Sequence, residues 1–181
     1  MTLLLILGLL AALLGLATFV GLNLPKTHVA ASRMRINAPR DEVWDAVVDF
    51  SAYPDWRPGL ARVEAGPDID GRPTWFEYCG PRIKVQLHFA MLEPKTRLVT
   101  RLVGDKLPIF GAWDYRFIED NGATILTITE SDKIYNPLLR VFSRVIFPHH
   151  AAMDVFLAAL ARYFGGDGVA EHLSVKIEEW A

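Results

Sequence analysis

An uninterrupted apolar run at the N-terminal end of the chain constrains its folding more than any other feature. Residues 3–22 contain only Leu, Ile, Ala, Val, Phe and Gly apart from one Thr, and the first charged residue is Lys26. As an α-helix, this run would be about 30 Å long, which matches the hydrocarbon thickness of a bilayer. Residues 1–25 are therefore predicted to form a transmembrane anchor.

The same run has a second interpretation, a secretory signal cleaved near the Val-Ala-Ala sequence at residues 29–31. Such signals usually place a basic segment before an apolar core of about 7–15 residues. No Lys or Arg precedes this longer run, so a retained single-pass anchor is favoured. The basic residues that follow it are Lys26, Arg33, Arg35 and Arg40. By the positive-inside rule, the rest of the chain is predicted to face the cytoplasm.

The remainder of the chain has the composition of an ordinary globular domain. All 19 basic and 21 acidic side chains lie at or after Lys26, and the net charge of the 181-residue chain is −2. This balance does not provide the basic surface that nucleic acid requires. A single cysteine, Cys79, excludes an internal disulfide and a thiolate metal cluster. The length favours one domain, predicted at residues 27–166, followed by a tail at residues 167–181 that we assign to no element.

The order of the predicted elements indicates an α+β fold. Residues 29–37 form a predicted strand, and a short amphipathic helix follows. Five or six consecutive strands come next, because apolar and polar residues alternate over residues 82–91 and in later segments, and the Asn-Gly pair at residues 121–122 favours a hairpin. A long helix is predicted over residues 136–166, with a kink at Pro148. Its apolar stripe needs a cover, which predicts a curved antiparallel sheet wrapped around it.

Short motifs also occur in a characteristic order along this domain. They are Ile36-Asn37-Ala38-Pro39 leading into Val43-Trp44, Asp49-Phe50 leading into Tyr53-Pro54-Asp55-Trp56, residues 107–113, Thr127-Ile128-Thr129-Glu130 and Tyr135-Asn136-Pro137-Leu138. With the long final helix, they resemble the helix-grip, or START/Bet v 1-like (SRPBCC), superfamily, and within it the polyketide cyclase/dehydrase and lipid-transport branch. The resemblance covers residues 29–166.

The resemblance implies a helix-grip fold with an apolar cavity between the sheet and the final helix. It therefore implies that the protein binds a hydrophobic small molecule or lipid. The superfamily also contains enzymes and proteins without a known occupant, so the fold does not define the chemistry. The residues expected to contact the ligand are Met91, Trp113, Tyr115, Glu130, Phe142, Ile146, Met153 and Phe156.

Glu130 is the least expected member of this set. It shares the strand phase of Leu126 and Ile128, which places a carboxylate on the apolar face. Burial without a partner would raise its pKa, as a general acid or base requires. A structural ion pair with Arg101 or Arg116 is the favoured interpretation.

Two other hypotheses remain open from the sequence. One is a cyclase, aromatase or dehydrase in the same cavity, whose acid and base groups would come from Glu130, Arg101, Tyr115 and one of His149 and His150. The other is an interaction module with a solid core and no ligand. The histidines lack metal-ligand spacing, and the sequence has neither a G-x-S-x-G nucleophile motif nor a glycine-rich phosphate loop. No catalytic residue, metal, cofactor or protein partner is therefore assigned.

Overall fold

The computed structural model describes residues 2–80, 83–104, 109–146 and 150–175, with only the backbone described at residues 109, 110, 145 and 146. The elements follow in the order α1 (Thr2–Asn23), β1 (Thr27–Ile36), α2 (Arg40–Val48), a 3-10 turn (Phe50–Ala52), α3 (Tyr53–Trp56), β2 (Arg62–Ile69), β3 (Arg72–Cys79), β4 (Ile83–Glu93), β5 (Arg97–Leu102), β6 (Ile109–Asp120), β7 (Ala123–Ile134), α4 (Pro137–Ile146), α5 (Ala151–Tyr163) and β8 (Glu171–Leu173). The predicted α+β class is confirmed.

All eight strands form one antiparallel sheet in the order β2-β3-β4-β5-β6-β7-β1-β8. The consecutive strands β2 to β7 form a meander, and β1 closes onto β7 along its whole length. Asn121 and Gly122 connect β6 to β7 with φ values of 51° and 80°. Two positive φ values in a two-residue connection match the twist of the strands, which confirms the predicted hairpin.

The core lies between the sheet and the helices α2 and α5. From α5, Met153, Phe156, Leu157 and Leu160 are buried in the same hydrophobic cluster as side chains of the sheet. The helix and the sheet therefore form the helix-grip arrangement that the sequence predicts.

The predicted long C-terminal helix is two helices in the structure. Helix α4 ends at Ile146 and α5 begins at Ala151, and Pro148, the predicted kink, lies outside the described residues. Only α5 covers the sheet extensively, whereas α4 packs mainly against α1. This break changes which of the final-helix residues can reach the interior.

Helix α1 is joined to the domain at its C-terminal end. Arg140 of α4 donates from Nη1 to the carbonyl oxygens of Gly21 at 2.7 Å and Leu24 at 2.8 Å, and from Nη2 to that of Tyr135 at 3.0 Å. A Cβ atom on Gly21 would lie 2.1 Å from the carbonyl oxygen of Pro137, so only glycine allows this approach. The guanidinium thus satisfies carbonyl groups that the helix end leaves without partners.

Most of the remaining length of α1 is exposed within the part of the chain that the structure describes. The helix is long and apolar enough to cross a membrane, and none of its most apolar 18-residue window is buried. Large side chains such as Leu4 and Phe19 are 75% and 66% exposed. Exposed apolar patches of this size are unusual on soluble monomeric proteins.

The tail, which we assign to no element from the sequence, contributes an edge strand of the sheet. Strand β8 pairs antiparallel with β1, and Arg33 Nε lies 2.7 Å from Oε2 of Glu171. Residues 171–173 therefore belong to the fold.

Candidate functional site

A cavity of about 210 Å³, open on one side, lies against the sheet face that α3 and α5 cover. Its lining comes from α3 and from five adjacent strands, β3 to β7. The lining residues are Tyr53, Arg57, Trp75, Glu77, Val85, Leu87, Thr100, Leu102, Gly111, Trp113, Tyr115, Glu130 and Asp132. The interior is therefore hollow, and its walls combine aromatic rings with a few charged groups, as small-molecule sites usually do.

One end of the cavity contains an arginine–carboxylate pair. Arg57 Nη1 donates to Glu77 Oε1 at 2.8 Å, and the exposed fractions of the two side chains are 20% and 7%. Trp75 Nε1 donates to the same oxygen at 3.1 Å. The Arg57 guanidinium also lies over the rings of Tyr53 at 4.7 Å and Phe156 at 5.2 Å. Ring faces and a carboxylate thus hold this cation, so its position is fixed before any ligand arrives.

Aromatic rings form the middle of the cavity. The centroid of Phe156 lies 5.8 Å from that of Trp113 and 5.6 Å from that of Tyr115. Burial raises the pKa of the Tyr115 hydroxyl well above its ordinary value, so this group stays protonated and acts as a hydrogen-bond donor. This wall offers a flat apolar ligand ring faces and edges to pack against.

Two carboxyl groups, Glu130 and Asp132, lie at the other end. They point to one face of β7 and are opposite Trp113 and Gly111 on β6. Trp113 Nε1 donates to Glu130 Oε1 at 2.7 Å. Burial raises the pKa of Glu130 despite this bond, and burial together with the Glu130 charge raises the pKa of Asp132 to about 7. Both shifts favour the protonated form of these carboxyl groups.

Gly111 makes room for these carboxyl groups. A Cβ atom at Gly111 would lie 2.7 Å from Asp132 Oδ1 and 3.4 Å from a methyl carbon of Leu102. A side chain at this position would therefore occupy the cavity and displace the carboxylate.

Residues 26–165 match the sequence profile described as "Polyketide cyclase / dehydrase and lipid transport". The chain belongs to this family. Among curated proteins, none matches the chain significantly. The resemblance that the sequence motifs indicate is thus confirmed.

Solved structures of similar fold include proteins of different activities. The Zhui aromatase/cyclase from Streptomyces sp. R1128 superposes with a TM-score of 0.64 at 16% identity, covering 77% of this chain and 94% of the other. A protein from Thermobifida fusca gives 0.61 at 20% identity, with 76% and 93% covered. Norcoclaurine synthase from Thalictrum flavum gives 0.58 at 12% identity, with 76% and 86% covered. At these identities, the similarity establishes the fold alone.

Three of the residues expected from the sequence line the cavity of this polyketide cyclase/dehydrase family member: Trp113, Tyr115 and Glu130. Phe156 is buried directly behind this wall, against Trp113 and Tyr115. Met153 is fully buried in the core but does not belong to the lining.

The other expected residues lie elsewhere. Met91 is 41% exposed, because a β-bulge at Ala90 breaks the alternation of β4 after the buried Phe89. Phe142 is 48% exposed, because α4 leaves the sheet and packs against α1. The side chain of Ile146 lies outside the described residues.

The candidate partners and catalytic groups are also partly corrected. The described hydrogen-bond partner of Glu130 is the Trp113 indole rather than an arginine, because Arg101 and Arg116 alternate with the inward-facing residues of β5 and β6. His149 lies outside the described residues. His150 is not in the cavity lining, and its Nδ1 lies 3.1 Å from Ser32 Oγ. Within the described residues, no group of His, Cys, Asp and Glu side chains could hold a metal ion.

Three charged residues of the site, Arg57, Glu77 and Asp132, are not among those expected from the sequence. Asp132 follows Glu130 by two positions on a strand, so the same phase argument would have found it. Arg57 and Glu77 carry no such signal, because residue spacing does not show that the segment after α3 meets β3.

Proposed function

We propose that this family member binds an apolar, ring-containing small molecule in the cavity lined by Tyr53 of α3, by Arg57 and by strands β3 to β7. The observation that carries the proposal is a hollow lined by Trp75, Trp113 and Tyr115, with charged groups from Arg57 and Glu77 and from Glu130 and Asp132. A ligand that fits would have an apolar centre and oxygen or nitrogen substituents near Arg57 and near the carboxyl pair. Specificity would come from these few polar contacts.

The size of the cavity limits the ligand. A dry cavity of about 150 Å³ is known to bind benzene, and this cavity measures about 210 Å³. One substituted ring or two fused rings fit inside, and a longer molecule would extend through the open side. A second copy of such a ring system has no space.

The proposed function includes attachment to a membrane through α1, with the globular domain on the cytoplasmic side. The exposed apolar length of α1 supports the attachment, and the cations that follow it support the orientation. An apolar ligand that partitions into the bilayer would be concentrated beside the cavity.

The described contacts also favour retention of α1 over its removal as a signal. Cleavage near residues 29–31 would remove the start of β1, whose residues Thr27 to Ala31 pair with β7. It would also remove two of the three carbonyl acceptors of the buried Arg140. A mature chain without these groups would be less stable, so we propose an uncleaved anchor.

The binding proposal is tested with 2-naphthol and the full chain in nanodiscs, with empty nanodiscs to subtract partitioning into lipid. Saturable binding of one equivalent is expected by calorimetry. Val85→Trp places an indole in the cavity and is expected to abolish binding, whereas Ile118→Trp, on a 58% exposed side chain of β6, is the matched control. Absence of saturable binding, or equal binding by both variants, would refute the proposal.

The carboxyl pair favours a second candidate, a cyclase or dehydrase acting on an oxygenated ketide-like substrate. An ionised carboxylate would remove a proton from a methylene between two carbonyls, and the resulting carbanion would attack a third carbonyl, whose oxygen takes a proton from a carboxyl group and becomes a hydroxyl. A carboxylate would then remove the second methylene proton to form a C=C bond, while the other, protonated carboxyl donates its proton to the departing hydroxyl, which leaves as water. Glu130, Asp132 and the Tyr115 donor converge in one cavity, as this chemistry requires.

Turnover and binding separate the two candidates. With a soluble aromatic triketide as substrate, Asp132→Asn and Glu130→Gln are expected to reduce turnover at least about 100-fold, the usual contribution of acid–base catalysis. Both variants are expected to retain 2-naphthol binding. Binding without turnover in the unmodified protein would exclude the enzyme for this substrate and leave the carrier.

A further inference from the structure

A second cavity of about 240 Å³ lies beside the first, where α1 meets the domain. Its lining residues are Pro25, Lys26, His28, Glu130, Asp132, Ile134, Arg140, Ser143, Arg144, Ala151 and Ala152. Glu130 and Asp132 therefore border both cavities. Unlike the first cavity, the second has no aromatic ring among its described lining residues apart from that of His28. It also has three basic side chains, those of Lys26, Arg140 and Arg144.

Arg140 supplies an unused donor to this second cavity. Its side chain is only 4% exposed, and its two Nη atoms are committed to the carbonyl groups of Gly21, Leu24 and Tyr135. Its Nε atom is buried and has no hydrogen-bond partner. A buried donor without an acceptor is costly, so an acceptor atom supplied by a ligand would be stabilising here.

Lys26 and Arg144 complete the cationic side. Both line the cavity, and neither forms an ion pair within the described residues. The hydroxyl of Ser143 lies on the same rim. Three cations converging on one polar hollow, one of them with a spare N–H, form a receptor for an anion with several acceptor oxygens.

We propose that the second cavity binds the phosphate group of an anionic phospholipid. The position of the cavity favours a lipid over a free anion, because Pro25 and Lys26 come directly after the apolar helix and so lie at headgroup depth if α1 spans the bilayer. The inference rests on that proposed placement of α1, but not on the ligand of the first cavity.

The carboxyl groups on the shared wall do not oppose this ligand strongly. Burial keeps the proton affinity of both high, and the pKa of Asp132 is raised to about 7. A protonated carboxyl donates a hydrogen bond to a phosphate oxygen instead of repelling it. The acyl chains would remain in the bilayer next to α1, where Leu138 and Phe142 of α4 are also exposed.

The exposed membrane-proximal cations allow a matched test. Lys26→Gln/Arg144→Gln removes two charges from the second cavity, whereas Lys133→Gln removes one from the opposite face of β7, since Lys133 lies between the lining residues Asp132 and Ile134. Arg140 is left intact because it also holds α1. Thermal melts of each variant establish that the fold is retained.

The readout is native mass spectrometry of the full chain in detergent, titrated with phosphatidylglycerol and with phosphatidylcholine. One retained phosphatidylglycerol is expected, with affinity reduced at least about tenfold in the double variant, as expected for charge-assisted hydrogen bonds. Lys133→Gln is expected to change the affinity less than about twofold. Inorganic phosphate, added as a competitor, is expected to displace the lipid only at concentrations far above that of the lipid.

Three outcomes would overturn the proposal. Equal losses in the double variant and Lys133→Gln would mean diffuse attraction to an anionic surface. Equal retention of phosphatidylcholine, which has the same phosphodiester but no net charge, would mean that the site does not select an anionic phospholipid. Displacement by phosphate at equimolar concentration would assign the site to a free anion. Failure of the chain to float with liposomes would refute the membrane placement separately, and the 2-naphthol experiment remains independent of all of these.

Discussion

Replacing Asp132 with Asn is expected to stabilise the folded protein at pH 8 and to leave its stability at pH 4 almost unchanged. Asp132 has a pKa of about 7 in the folded chain, against an ordinary value of 3.8. The folded state therefore binds this proton more tightly than the unfolded state does. By linkage, the aspartate's contribution to stability is fully present below the unfolded pKa, decreases through the interval between the two values, and is lost above pH 7.

The magnitude follows from the size of this interval. A tenfold change in proton affinity corresponds to about 1.4 kcal/mol, and the pKa rises from 3.8 to about 7. Ionising Asp132 at pH 8 thus costs the folded state up to about 4 kcal/mol. Water at the open side of the cavity screens part of this charge, so we expect a gain of about 2–4 kcal/mol for Asp132→Asn.

Thermal unfolding of the full chain in detergent, followed by tryptophan fluorescence between pH 4 and pH 8, measures this difference. For a chain of this length, 1 kcal/mol corresponds to about 2–4 °C in Tm, so the variant should melt at least about 4 °C higher at pH 8. Asp68→Asn, at an exposed position, is the control and should follow the unmodified protein. Parallel pH profiles for the unmodified protein and Asp132→Asn would refute the reasoning.

Two further predictions concern the Arg57–Glu77 ion pair of the first cavity and the contact between α1 and α4. Arg57→Met should lower the free energy of unfolding by about 3–5 kcal/mol, because it leaves the Glu77 carboxylate, 7% exposed, without its cation. Urea unfolding measures this free energy. Adding Glu77→Leu to Arg57→Met should restore most of the lost stability. A loss below about 1 kcal/mol in Arg57→Met would contradict the prediction. Gly21→Leu should separate α1 from α4, because its Cβ has no room, and so accelerate tryptic cleavage after Lys26. Gly15→Leu, where nothing lies within 4 Å, should not, and equal cleavage rates would contradict the argument.

The parts of the fold that the sequence predicts are those governed by local periodicity. Alternation in the strands, the Asn-Gly turn at residues 121–122 and the apolar stripe of α5 each depend on near neighbours in the chain. Trp113, Tyr115 and Glu130 line the cavity, as their strand phase predicts, because β6 and β7 pair regularly along their whole length.

Met91 and Phe142, which were expected to contact the ligand, lie where the regular pattern of their strand or helix is interrupted. Met91 follows a bulge, and a single extra residue moves every later side chain to the other face. Phe142 lies in α4, and although Pro148 predicted a kink in the final helix, no local pattern indicated that its first part would pack against α1. Arg57 and Glu77 meet only through tertiary packing, which residue spacing does not encode.

The bond between Arg140 and the end of α1 has a practical consequence for anyone preparing this protein in soluble form. A chain shortened to begin after residue 25 loses the carbonyl groups of Gly21 and Leu24 but keeps the guanidinium that donates hydrogen bonds to them. Of the three described acceptors of Arg140, the shortened domain would keep only the carbonyl group of Tyr135. A chain that starts at residue 20 instead would keep the last turn of α1 and therefore the hydrogen bonds to Arg140. It would still lack most of the exposed apolar surface of α1.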